Sequence, residues 1–152
     1  MMLDSIMTRQ VVTASMDDTL AEVRRVMGVY HIHHVVVTEL ERVVGVVSDR
    51  DLLSHISPFV GTTTERRVDT ESLTRKVHQI MTRQLIVGTP AMTAEEAAFL
   101  ILTQGVSCLP VVDTNGACLG IVTWRDLLRV AYDTESVKKR LEESRRAKPR
   151  VA

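Results

Sequence analysis

The sequence contains few aromatic residues: two Phe, two Tyr and one Trp make up 3% of its 152 residues. The core must therefore be built from Val, Leu, Ile, Ala and Met. With so few aromatic rings available for stacking, we expect any bound nucleobase to be held by aliphatic side chains and backbone groups. Hydrophobic residues still account for 45% of the chain and charged residues for 25%, which is ordinary for a soluble globular protein. The length predicts one domain, or two very small ones that share a core.

The chain has no excess of basic residues, because 19 Lys and Arg balance 19 Asp and Glu. A protein whose main partner is duplex nucleic acid usually carries such an excess, so nucleic acid is not predicted as a partner. Basic residues do cluster in 145–150, directly after Glu142 and Glu143, and we interpret this stretch as a solvated tail.

The two cysteines, Cys108 and Cys118, form no CxxC motif and lie in apolar stretches. We interpret them as reduced, buried small hydrophobes in a cytoplasmic protein. No basic segment followed by an apolar run opens the chain, and no apolar run approaches the length of a membrane span. Export, membrane insertion and a membrane partner are therefore not predicted.

Sequence signatures of enzymes are also missing. There is no Gly-rich phosphate-binding loop, and neither thiol has a nearby His–Asp pattern that would make it a nucleophile, so we predict no catalytic residue. An alternating His31 and His33 pair could ligate zinc, but no carboxylate or Cys nearby in sequence completes a ligand set. We predict no metal, and expect these histidines, with His34, to contact a ligand phosphate or to pack.

An internal duplication organises the chain. The segment IMTRQ occurs at 6–10 and again at 80–84, an offset of 74 residues, and TLAE at 19–22 aligns with TAEE at 93–96 at the same offset. The last block, 45–53, aligns with 120–128 at an offset of 75. Three matched blocks in the same order indicate two repeats of about 50 residues each.

The sequence pattern of each repeat predicts the element order β-α-β-β-α, which makes the fold class α+β. Thr19 with Glu22, and Thr93 with Glu96, have the spacing of a capping box at the start of a helix. A second helix starts at Ser48 or at Thr123. The predicted strands are 11–13, 35–37 and 43–47 in the first repeat, and 85–87, 109–112 and 118–122 in the second.

The predicted organisation is repeat one at 1–56, a linker at 57–76, repeat two at 77–132 and a charged C-terminal helix or tail at 133–152. The linker is polar and is expected on the surface, with a short helix at 71–79 entering the second repeat. A unit of about 50 residues is marginal for an independent core, so we expect the repeats to pack about a pseudo-twofold axis. Such a pair offers two equivalent grooves.

A polar motif recurs where each buried strand meets its second helix, as Ser48-x-x-Asp51 and Thr123-x-x-Asp126. One interpretation is structural, because [ST]-x-x-[DE] is itself a helix N-terminus signature. The other is a ribose-phosphate site: the helix N-terminus favours a phosphate, and the Asp can accept hydrogen bonds from ribose hydroxyls. Arg50 and Arg125 stand in the first helical turn, where they oppose the dipole but could donate to a phosphate.

These blocks resemble the cystathionine β-synthase (CBS) domain, which is found in tandem as a Bateman module. The resemblance rests on Ile-Met-Thr at the start of each copy, on LPVVD at 109–113 and on the Gly-h-h-[ST]-x-[RK]-Asp block, and it covers residues 3–131. It implies a disc-like pair, often dimerised, with two clefts that bind AMP, ADP, ATP, S-adenosylmethionine or related ligands. Repeat one departs from the pattern at Val36 and Glu39, where repeat two has Pro110 and Asp113, and this affects the base-binding loop.

Carried over by position, the resemblance implies two groups of ligand-binding residues. In each group, the first four residues would hold the base, and the last four would hold the ribose and phosphate. The first cleft would be formed by Thr8, Val12, Ile32 and His33 with Ile121, Thr123, Arg125 and Asp126. The second would be formed by Thr82, Ile86, Val106 and Ser107 with Val46, Ser48, Arg50 and Asp51.

Two functions remain open at this point. In the first, the chain is a regulatory, non-enzymatic homodimer that senses an adenine nucleotide and signals to an effector protein; it requires no cofactor. In the second, it is a dimerisation or interaction scaffold with empty clefts. The Ser or Thr, Arg and Asp kept in both copies favour the sensor.

Overall fold

The computed structural model describes residues 1–133, 138–139 and 142–143, and its mixed α and β elements confirm the predicted fold class. The first repeat contains a 3-10 turn at Leu3–Ser5, β1 (Thr13–Ser15), α1 (Leu20–Tyr30), β2 (His34–Glu39), β3 (Arg42–Ser48) and α2 (Asp49–His55). After the short helix α3 (Arg67–Glu71) come 3-10 turns at Ser72–Thr74 and Val77–Gln79. The second repeat continues with α4 (Ala94–Gln104), β4 (Cys108–Val112), β5 (Cys118–Thr123) and α5 (Trp124–Asp133). Most of the predicted tail, 133–152, lies outside the described residues.

The predicted capping boxes start both long helices. Thr19 Oγ1 accepts a hydrogen bond from the Glu22 amide at 3.3 Å, and the Glu22 carboxylate accepts one from the Thr19 amide at 2.6 Å. Thr93 and Glu96 make the same exchange at 3.2 and 2.8 Å. The prediction from spacing is therefore confirmed at both positions.

The two sheets differ in strand number, but their antiparallel strands pair in an equivalent register. In the first repeat β1 runs parallel to β2, and β2 runs antiparallel to β3; in the second, β4 and β5 are antiparallel. The pairing shifts between Val37 and Thr38 and, at the equivalent place, between Val111 and Val112. The duplication therefore extends to a β-bulge, a feature that bends a strand in a defined way.

The first strand of each repeat differs from the sequence prediction. In repeat one, pairing with β2 begins at Thr13. In repeat two the prediction of a strand at 85–87 was wrong, because only Gly88 exchanges hydrogen bonds with β4, donating to Pro110 O at 2.9 Å and accepting from the Val112 amide at 3.0 Å. These two hydrogen bonds form a single parallel bridge between Gly88 and Val111.

The N-terminal arm of each repeat packs on the other repeat. Leu3 and Met7 belong to the core of repeat two, whereas Val77, Ile80 and Met81 belong to the core of repeat one. Burying one apolar side chain of this size contributes about 1.5–3 kcal/mol to the free energy of folding. The crossed arms therefore contribute much of the stability of each core. Neither repeat completes its core without the other.

Glycines allow this close approach. A Cβ atom on Gly120 would lie 2.5 Å from Met7 Sδ, and one on Gly45 would lie 2.6 Å from Met81 Sδ. Beside these contacts, Thr8 pairs with Ile121 through hydrogen bonds of 2.9 and 3.0 Å. The arm that carries Thr8 is therefore held against the last strand of the opposite repeat.

The linker, which was expected on the surface, contains a buried carboxylate. Asp69 in α3 is only 4% exposed, and its carboxylate accepts hydrogen bonds from Ser57 Oγ at 2.7 Å and the Arg66 amide at 2.8 Å. The hydrogen bond from Ser57, followed by that from Arg66, holds the pKa of Asp69 below its usual range. This carboxylate ties the start of the linker, at Ser57, to the start of α3.

The single helix predicted at 71–79 was also wrong. Two 3-10 turns take its place, separated by residues in extended conformation. The chain is extended there because Arg75 O accepts a hydrogen bond from the Leu20 amide, and the Val77 amide donates to Asp18 O, both at 2.9 Å. Pairing with the start of α1 replaces the helical hydrogen bonds.

In the part of the chain that the structure describes, no helix has the length and apolar character needed to cross a membrane.

Candidate functional site

The two strand-to-helix corners both contain a capping box. At the second corner, Asp126 Oδ2 accepts from the Thr123 amide at 2.8 Å and from Thr123 Oγ1 at 2.7 Å. At the first, Asp51 Oδ2 accepts from the Ser48 amide at 2.7 Å and from Ser48 Oγ at 2.8 Å. The capping interpretation of the motif is therefore correct. Each cap uses one carboxylate oxygen, and Oδ1 is not part of it.

The corners lie next to the contact between the repeats. The Asp49 amide donates to His33 O at 2.9 Å and, at the equivalent place, the Trp124 amide donates to Ser107 O at 3.2 Å. His34 Nε2 and Ser107 Oγ are 2.7 Å apart, which joins the two repeats directly. Burial lowers the pKa of His34, so its imidazole is neutral near pH 7.

A cavity of about 490 Å³ lies between the repeats at these corners. This volume is in the range of small-molecule binding sites. All eight residues that the sequence placed in the first cleft line it: Thr8, Val12, Ile32, His33, Ile121, Thr123, Arg125 and Asp126.

The second predicted group is divided by the fold. Ser48, Arg50 and Ser107 line the same cavity as the first group. Val46 and Thr82 instead pair through backbone hydrogen bonds of 3.3 and 3.0 Å, which is the counterpart of the pairing between Thr8 and Ile121. The other three members do not line this cavity: Ile86 and Val106 pack against the core of repeat two, and Asp51 caps α2.

The cavity also contains residues that the sequence analysis did not assign. Trp124 is 43% exposed and lines it, with the guanidinium carbon of Arg125 at 5.4 Å from the ring centroid. The sequence did contain a signal for two of these lining residues. Trp124 lies inside the polar motif, and Arg129 follows Arg125 by one helical turn, which places both arginines on the same side of α5. An aromatic ring therefore borders the cavity beside the aliphatic side chains we expected. The remaining unassigned lining residues are Gln10, Val11 and Asp49; His31 and His34, which we expected to contact a ligand phosphate or to pack, line the cavity as well.

The acidic groups of the cavity have local partners. Asp49 Oδ2 lies 2.7 Å from His33 Nδ1, and, although burial acts in the opposite direction, this hydrogen bond lowers the pKa of Asp49. Asp126 is held by Thr123 and lies 3.9 Å from Arg129 Nη1. Arg50 and Arg125, in contrast, make no ion pair with an acidic residue of the described chain. The uncompensated guanidinium groups favour an anionic ligand.

The described residues contain no group of three His, Cys, Asp or Glu side chains that could hold a metal ion. Of the two histidines considered as zinc ligands, His33 contacts Asp49, and the neighbouring His34 contacts Ser107.

Comparison with known proteins agrees with the resemblance. The profile of the CBS domain matches residues 3–58 and 77–133. An inosine-5'-monophosphate dehydrogenase of Methanocaldococcus jannaschii is 31% identical over 127 residues, which make up 83% of this chain but only 23% of that enzyme. This chain therefore spans less than a quarter of the length of that relative.

Solved structures share the fold. The CBS domain pair of protein MJ0100, in complex with 5'-methylthioadenosine and S-adenosyl-L-methionine, superposes with a TM-score of 0.73 at 20% identity and covers 86% of this chain and 95% of that one. CBSX2 in complex with AMP superposes with a TM-score of 0.70 at 24% identity and covers the same shares, 86% and 95%.

Proposed function

Since the chain belongs to the CBS domain family, we propose that it is a regulatory protein that binds an adenine nucleotide between its two repeats and signals to a partner protein. One observation carries this proposal: the eight residues assigned to one cleft from sequence line a single cavity. The ligands of MJ0100 and CBSX2 share an adenosyl group, which supports adenine as the base. The protein would act in the cytoplasm, without a catalytic residue and without a required cofactor.

Each part of the nucleotide would meet a matching part of the cavity. Ile32 and Val12 would hold the base, with the Trp124 ring at the border. Asp126 Oδ1, which the cap does not use, would accept hydrogen bonds from the ribose hydroxyls. Arg125, stacked against Trp124, would donate to the phosphate.

Binding would change the output through the contact between repeats. The cavity is lined by both repeats and includes Thr8, which is part of the arm that pairs with Ile121 of the opposite repeat. A ligand that prefers one arrangement of the repeats would shift the population toward it. An effector protein would then recognise that arrangement.

A thermal-shift panel with AMP, ADP, ATP, NADH and S-adenosylmethionine tests the proposal. A ligand at one hundred times its dissociation constant should stabilise the fold by about 2.7 kcal/mol. If none of these compounds raises the melting temperature at millimolar concentration, the proposal is wrong.

Two matched variants locate the site. Asp126→Ala and Glu96→Ala each remove the carboxylate of a capping box, but only Asp126 lines the cavity. Both should lower the melting temperature of the free protein, whereas only Asp126→Ala should remove the shift caused by the ligand. An undiminished ligand shift in Asp126→Ala would contradict the ribose assignment.

A scaffold function remains the second candidate, and exposed apolar side chains on two neighbouring helices favour it. On α4, Phe99 is 66% and Leu102 is 80% exposed; on α5, Leu128 is 57% exposed. Exposed apolar side chains grouped on neighbouring helices are typical of a protein interface. We propose that a second copy of the chain covers it, so that the protein is a homodimer under either function.

A further inference from the structure

The cavity is bordered by the strand-to-helix corners of both repeats. Thr123, Arg125 and Asp126 come from the second corner, and Ser48, Asp49 and Arg50 come from the first. The family pattern assigns each corner to a separate cleft, but here Arg50 lines the cavity of the opposite corner. One ligand in this cavity therefore has access to arginines from both repeats.

Each corner of the cavity leaves a positive charge without an acidic partner. At the first corner, Asp49 is engaged by His33 at 2.7 Å, and at the second, Asp126 is engaged by Thr123 at 2.7 Å. Arg50 and Arg125 have no acidic partner among the described residues. Each corner therefore presents one unpaired guanidinium group, and a guanidinium group donates two parallel hydrogen bonds to a phosphate.

We infer that the ligand of this cavity carries a chain of two or more phosphates, a nucleoside di- or triphosphate, whose distal phosphate is bound by Arg50 of the first repeat. This inference rests on the proposed function and narrows it. A nucleoside monophosphate would place its one phosphate at Arg125 and leave Arg50 unmatched. A sulfonium ligand such as S-adenosylmethionine brings a positive charge to a site with unpaired arginines and is disfavoured.

Trp124, the only tryptophan of the chain, makes the test direct, because its ring borders the cavity and its fluorescence should respond to bound ligand. Dissociation constants for adenosine, AMP, ADP and ATP are measured on the full chain by this signal and by calorimetry. Adenosine 3',5'-bisphosphate is added because it carries two phosphates that do not form a chain. Arg50→Gln is the test variant, and Arg24→Gln, an exposed arginine on α1 that does not line this cavity, is its matched control.

ADP or ATP should bind about tenfold to a hundredfold more tightly than AMP, because a hydrogen bond to a charged group contributes at this level. Arg50→Gln should remove this preference and leave the affinity for AMP within about twofold, while Arg24→Gln should keep it. Adenosine 3',5'-bisphosphate should bind like AMP.

The inference is overturned if AMP binds as tightly as ADP and ATP, or if Arg50→Gln weakens AMP and ADP equally. It is also overturned if adenosine 3',5'-bisphosphate binds as tightly as ADP. The affinity would then depend on the number of phosphates and not on a phosphate chain that extends to Arg50. Tight AMP binding without a gain for ADP contradicts only this inference. Failure of every adenine compound to bind contradicts the proposed function as well.

Discussion

Replacing Gly120 by Ala should loosen the contact between the N-terminal arm and repeat two. The added Cβ would lie 2.5 Å from Met7 Sδ, 2.8 Å from Met7 Cγ and 3.1 Å from Thr8 O. Met7 is only 8% exposed, and the third contact is with backbone, so the side chain cannot move away freely and the arm itself must shift. Overpacking of this kind costs about 1–3 kcal/mol.

A loss of about 2 kcal/mol should lower the melting temperature by about 4–8 °C for a chain of this length. Urea unfolding of the variant and of the native protein measures the free energy directly. Because Thr8 lines the cavity, the variant should also bind nucleotide more weakly. The matched control is Gly28→Ala in α1, where the added Cβ meets nothing within 4 Å, and it should stabilise the protein by about 0.4–1 kcal/mol.

The double variant Gly120→Ala, Met7→Ala decides whether the clash is the cause. Met7→Ala alone should destabilise by about 2–5 kcal/mol, because it leaves a space in the core. In the double variant the new methyl group occupies part of that space, so the combined loss should be smaller than the sum of the two. If the losses add to within about 0.5 kcal/mol, the proposed steric coupling is wrong.

Three further predictions concern other parts of the molecule. Burial lowers the pKa of His34 below its unfolded value of about 6.5, so the unfolded chain binds more protons than the folded one as the pH falls through that value, and the stability of the fold should fall with the pH. His34→Gln should weaken this pH dependence in urea titrations between pH 7.5 and 5.5, and an unchanged dependence would contradict the prediction. Burial raises the pKa of the Cys108 thiol to about 12, so in the native protein a thiol reagent should modify the half-buried Cys118 first. Peptide mapping measures the order of modification, and faster modification of Cys108 would mean that its site opens. Leu102→Glu on α4 should shift the sedimentation coefficient from dimer to monomer without lowering the melting temperature of a dilute sample, and a persistent dimer would place the interface elsewhere.

Local patterns predicted much of the fold because they depend on residues close in sequence. The capping boxes at Thr19 and Thr93 formed as their spacing indicated, since a helix start needs only a hydroxyl and a carboxylate three residues apart. The matched blocks likewise predicted equivalent elements, down to the two strand-to-helix corners. The strand predicted at 85–87 failed because its pairing depends on β4, twenty or more residues away, and only Gly88 meets it.

The sequence by itself therefore determined the duplication, the α+β order of elements, the family and the polar residues at each corner. The tertiary structure alone decided how the two copies combine. The arms cross, so Met7 completes the core of repeat two and Met81 that of repeat one, and this exchange has no signal in either repeat taken separately. It also decided that Arg50 and Arg125 share one cavity, because the direction of each corner depends on packing between repeats and not on the motif that forms it.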